Sequence, residues 1–92
     1  LAHLQVALAA VSAADPDLLV YLAGADPYED DQLGGLALTQ SGLRERDRQV
    51  FQFASSLGVP VVVVLAGGYA RRFNDTVSIH TATVEEAVAT DA

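Results

Sequence analysis

Hydrophobic positions recur with helical spacing in some stretches of the chain and run unbroken in others. Leu1, Leu4, Leu8 and Val11 fall three or four residues apart, and Ala fills most of the remainder, which predicts a helix over about 1–14. Pro16 disfavours helix at Asp15 and ends it. Leu18 to Ala23 is apolar without alternation, the mark of a parallel strand covered on both faces, and predicts a strand over about 18–24. Tyr21 is its one large polar-tipped residue. Thr39 or Ser41 can cap the next helix, over about 40–57, with Gly58 as its stop. Leu43, Val50, Ala54 and Leu57 form the apolar stripe of that helix, and Phe51 and Phe53 flank it. The intervening charges, Arg44 to Arg48, read as a solvated face. Pro60 opens a second strand, about 60–65, through the β-prone run Val61 to Leu65. A last helical region, about 75–90, has two start signals. These are Asp75 and a Thr83–Glu86 capping box, with a short bend expected between the pieces. Strand, helix, strand in this order predicts an α/β fold built on a right-handed βαβ unit with parallel strands, flanked by helices.

Both predicted strands run into stretches of similar design. Leu18 to Gly35 reads LLVYLAGADPYEDDQLGG, an apolar run ending in small residues and Asp26. Val59 to Arg72 reads VPVVVVLAGGYARR, an apolar run, small residues and then Tyr69. The connection from Gly24 to Leu38 is longer than the usual two to six residues of a βα loop, and long ordered loops there often carry function. Ligands of parallel α/β sheets bind at the carboxyl ends of the strands. Neighbouring strands lie roughly 5 Å apart, so adjacent strands could present a carboxylate and a phenol to one small space. That pair suits metal-assisted hydrolysis: the carboxylate holds a cation and the phenol donates to an oxygen that gains charge. The competing reading makes Asp26 a turn former and Gly67-Gly68-Tyr69 a tight turn with an aromatic packed behind it. Glu29, Asp30 and Asp31 could also bind Ca²⁺ or Mg²⁺ through oxygens, although the loop lacks EF-hand spacing. Gly67-Gly68 is too short for a dinucleotide or phosphate-loop fingerprint. His3 and His80 read as surface or packing residues, because a metal site needs several ligands.

Composition narrows the classes. Ninety-two residues, about half of them hydrophobic, make one domain at most. A net charge of −7, with five Arg and no Lys, argues against nucleic acid and anionic membrane as partners and favours a cationic or neutral ligand. The absence of Cys removes disulfides and thiolate metal sites. No apolar run reaches the roughly 18–20 residues that span a membrane. No basic region with a cleavage site is visible at the amino end, and a cytoplasmic location is expected. The sequence does not begin with Met, which is the pattern of a fragment or a processed chain.

GADPYEDDQLGGLALTQSGLRERD, followed after a helix by VPVVVVLAGGYARR, resembles the carboxyl-terminal part of the histone deacetylase family, the zinc-dependent branch of the arginase/deacetylase fold. The Leu-Gly-Gly-Leu and the Arg-Asp pair in the helix are most similar to its class IV-like and bacterial branch. The resemblance covers roughly Asp15 to Thr83. It implies that the chain is the carboxyl-terminal part of a three-layer sandwich. It implies that Asp26 is a zinc-binding aspartate and that Tyr69 hydrogen-bonds the substrate carbonyl. It further implies that Leu33 lines the acyl-lysine channel, that Gly67 and Gly68 allow close backbone approach beside it, and that Asp31 is structural or backs a ligand without binding the metal itself. The family's Asp-x-His zinc ligands and its catalytic histidine pair have no counterpart in this sequence.

Two functions are therefore carried forward. The first is the carboxyl-terminal part of a zinc-dependent deacetylase acting on acyl-lysine or a related acylated amine, with the fragment alone inactive and its zinc absent or weakly held. The second is a non-catalytic α/β interaction module on the same scaffold. Two parallel strands with apolar faces make a poor sheet by themselves, so self-association of the 92-residue chain is expected.

Overall fold

The computed structural model describes residues 2–25, 38–67 and 73–91. The element order is α1 (Ala2–Ala13), β1 (Leu19–Gly24), α2 (Gln40–Leu57), β2 (Val61–Ala66) and α3 (Phe73–Asp91). The fold is mixed α/β, as the pattern predicts. β1 and β2 pair in parallel, from Leu19 opposite Val61 to Gly24 opposite Ala66, with α2 as the crossover.

Local chemistry explains most of the boundaries. α1 ends at Ala13, and Asp15 takes a left-handed φ of 53° just before Pro16. Thr39 caps α2, its hydroxyl accepting from the Gly42 amide at 3.0 Å. Gly58 closes α2 at φ 68°, a conformation that costs glycine nothing, and its amide bonds back to the last turn.

One expectation fails at α3. The helix runs unbroken from Phe73 to Asp91, with no bend and no capping box at Thr83. Thr83 is fully buried in mid-helix, and Glu86 accepts from Arg48 at 3.0 Å rather than from the backbone near Thr83. Tertiary partners take up the very groups that the capping reading assigned to a helix start.

α2 and α3 pack together over one face of the strand pair. The core is small: Ala23, Ala25, Leu43, Val50, Phe51, Ala54, Ile79 and Ala82 are buried. Of the two flanking phenylalanines, Phe51 is inside and Phe53 half-buried. α1 is joined to α2 by a Gln5–Gln49 side-chain hydrogen bond of 2.6 Å, and its stripe residues Leu4, Leu8 and Val11 are only half-buried. The opposite sheet face stays open, with Val20 60%, Leu22 66%, Val62 49% and Val64 42% exposed. The unbroken apolar run of β1 predicted cover on both faces; within the described residues only one face has it.

Candidate active site

The two strands end in register. Gly24 lies opposite Ala66, and the ladder continues one step further, with the Ala25 amide donating to the Ala66 carbonyl at 2.9 Å. Ala25 is buried in a cluster with Leu43 and Ile79, against which Leu38 packs. Gly67 follows β2 at φ 72°, where a side chain would be strained. The last described residues before Asp26 and before Gly68 are thus neighbours at the carboxyl edge of the sheet. Asp26, Asp31, Leu33, Gly68 and Tyr69 lie outside the described residues. Of the residues singled out for the site, Gly67 alone is described.

Below this edge sits a polar network that includes Arg46 and Asp47, which the sequence pattern assigned to solvent. Asp47 is fully buried, and the Arg46 side chain is only 13% exposed. The Asp47 carboxylate accepts from Arg46 Nε at 3.1 Å and Nη2 at 2.9 Å, from the Thr83 hydroxyl at 2.6 Å, and from the Tyr21 hydroxyl. Arg46 Nη1 donates to the Gly24 carbonyl at 2.5 Å. The guanidinium also lies 5.6 Å from the Tyr21 ring centroid, a cation–π distance. Tyr21 in turn meets Phe51 edge to face at 5.6 Å. Burial holds the Tyr21 phenol well above its ordinary value, and its hydrogen bond to Asp47 pushes it the same way.

The solvated-face reading of Arg44 to Arg48 is therefore corrected for Arg46 and Asp47. A signal was available. The period that selects Leu43, Val50 and Ala54 puts residue 47 on the same stripe, and an acidic residue on a buried stripe needs partners. Of the remaining charges only Arg48 and Glu45 pair within α2, at i,i+3 spacing, while Arg44 and Arg48 also cross to α3. Arg44 reaches Glu85 at 2.9 Å, and Arg48 reaches Glu45 at 2.5 Å and Glu86 at 3.0 Å.

Two further polar atoms, Thr76 Oγ1 and His80 Nδ1, are buried without a hydrogen-bond partner among the described residues. His3 is exposed and His80 half-buried, as surface and packing histidines are. Among the described residues no group of three His, Asp or Glu side chains could hold a metal ion. No helix of the described residues is long and apolar enough to cross a membrane. An open cavity of about 510 Å³ lies between α2, β2 and α3, lined by Phe51, Ala54, Pro60, Val61 and Val88. Pro60 and Val61 place it at the amino end of β2, the opposite end from the Gly24–Ala66 pair.

The family profile described as "Histone deacetylase domain" matches residues 2–85. The chain belongs to the histone deacetylase family. It is 42% identical over 78 residues to an uncharacterized protein of Picosynechococcus sp., a match covering 85% of this chain and 25% of that protein. It is 41% identical over 54 residues to histone deacetylase 2 of Arabidopsis thaliana, covering 59% of this chain and 14% of the relative. This deacetylase-family chain thus spans about a quarter or less of the curated relatives it matches.

Proposed function

We propose that the chain is the carboxyl-terminal portion of a zinc-dependent deacetylase domain, of the class IV-like and bacterial type, on the arginase/deacetylase fold. The intact enzyme hydrolyses the amide of acyl-lysine or a related acylated amine in the cytoplasm. The observation that carries this reading is the paired strand ends. Gly24 pairs with Ala66 and the Ala25 amide bonds to Ala66, so the two strands finish together at the sheet edge where α/β ligands bind, and Asp26 and Tyr69 follow those ends in the sequence. Family membership supports hydrolysis as the reaction class.

In this reading Asp26 is one ligand of the metal and Tyr69 donates a hydrogen bond to the substrate carbonyl oxygen as charge develops on it. Leu33, Gly67 and Gly68 shape the channel, and Asp31 supports the loop. A bound zinc ion supplies Lewis-acid polarisation and a nucleophilic water. The further ligands and the histidine acid–base pair belong to the rest of the longer protein, so the 92-residue chain alone holds zinc weakly and turns over no substrate.

Two variants of the full-length protein test the assignment. Tyr69→Phe should lower kcat by a factor of about 10² or more with zinc content unchanged, and Asp26→Ala should lower zinc content. A Tyr69→Phe enzyme with full activity refutes the donor role.

The open apolar sheet face supports one more proposal. Val20, Leu22, Val62 and Val64 leave the isolated chain with a surface that a second copy covers.

A further inference from the structure

We propose that Arg46 and Asp47 are positioning residues for the candidate active site, clamping the carboxyl end of β1 two residues before Asp26. Successive residues on a helix point about 100° apart, so Arg46 and Asp47 do not pair by default. Asp47 points inward on the stripe with Leu43 and Val50. Arg46 folds back over it, spending Nε and Nη2 on Asp47 and leaving Nη1 aimed at the Gly24 carbonyl at 2.5 Å. Thr83 from α3 and Tyr21 from β1 hold the carboxylate from two other elements. A guanidinium held at both ends has little freedom, so its third contact is set in position and direction.

The contact falls where regular pairing runs out. Gly24 is the last residue of β1, and a Cβ added there would meet nothing within 4 Å. The packing of its buried neighbours Ala23 and Ala25 is joined there by two hydrogen bonds, Arg46 to the Gly24 carbonyl and Ala25 to Ala66. Asp26 follows two residues after Gly24. Groups that orient a ligand-bearing segment without touching the metal govern how firmly the metal is held. The positioning role rests on the proposed assignment of Asp26 as a ligand.

The test uses the full-length protein and two readouts. The first is amide hydrogen exchange at the two ends of the strand pair. Leu19 donates to Pro60 at the amino end at 3.0 Å, and Ala25 donates to Ala66 at the carboxyl end. Arg46→Gln should speed exchange at Ala25 about ten- to a hundredfold relative to Leu19, the loss expected for one charge-assisted bond. Val50→Ala, a core truncation on the same helix, should speed both amides alike. The second readout is zinc release to a chelator, which Arg46→Gln should accelerate about tenfold beyond Val50→Ala. Arg46→Lys, which keeps the charge and loses the fork, should fall between wild type and Arg46→Gln, and it carries the comparison if Arg46→Gln does not fold. An unchanged Ala25-to-Leu19 ratio overturns the clamp. A raised ratio with unchanged zinc release, in a protein whose Asp26→Ala variant does lose zinc, overturns the positioning role. If Asp26→Ala keeps its zinc, the ligand assignment fails by itself, and the exchange ratio still decides whether Arg46 holds the strand end.

Discussion

Asp47→Asn keeps the side-chain shape and removes the charge. In the folded chain the carboxylate accepts from Tyr21, from two nitrogens of Arg46 and from Thr83, with no access to water. Hydrogen bonds to a charged acceptor are worth about 1.5–3 kcal/mol, and neutral ones about 0.5–1.5. The Thr83 contact can survive with donor and acceptor exchanged. Weakening the other contacts by about 1 kcal/mol each removes about 3 kcal/mol. That agrees with the 3–5 kcal/mol cost of breaking a buried ion pair from one side. At a urea slope near 2 kcal/mol/M the unfolding midpoint should fall by about 1.5 M. Circular dichroism at one fixed protein concentration measures it, since association shifts apparent stability by mass action. A solvated surface carboxylate would change stability by no more than about 0.5 kcal/mol. A midpoint shift below about 0.25 M therefore refutes the buried network.

Other outcomes can be checked alongside. The Tyr21 phenol is raised, so the folded state keeps its proton where the unfolded chain loses it. Its contribution to stability is complete below about pH 10 and is lost as pH rises through the native value. Tyrosinate absorbance should show a late-titrating component that is absent in Tyr21→Phe; the same late component in both proteins would contradict it. Gly58→Ala should cost about 1–2 kcal/mol, all of it backbone strain, because a Cβ there would meet nothing within 4 Å at φ 68°. Gly58→Asn should recover part of that loss in the same thermal melts, since Asn tolerates the left-handed region. Thr39→Ala should cost about 1 kcal/mol through loss of the cap on Gly42. On the open sheet face, Leu22→Glu should lower the mass of the 92-residue chain by light scattering. Wild-type chain that is already monomeric would remove the proposed self-association.

The order and type of the elements were legible in the sequence because they depend on near neighbours. Helical spacing in 40–57, unbroken apolar runs in 18–24 and 60–65, the Thr39 cap and the Gly58 stop each act within a few residues. The family could also be read from the motifs at the two strand ends, and the match over residues 2–85 agrees. What only the tertiary structure decided is where charge and hydroxyl go. Thr83 looked like a helix start because a hydroxyl three residues before a carboxylate is a capping pattern. Its oxygen instead meets Asp47, 36 residues away, which no local signal encodes. Arg46 and Asp47 stood in a run of alternating charge that solvent alone could have satisfied. The packing of α2 and α3 on one face of β1 turned that pair inward and made Gly24 its target. A buried charge persists only where partners converge from several elements, and that convergence is a property of the folded chain.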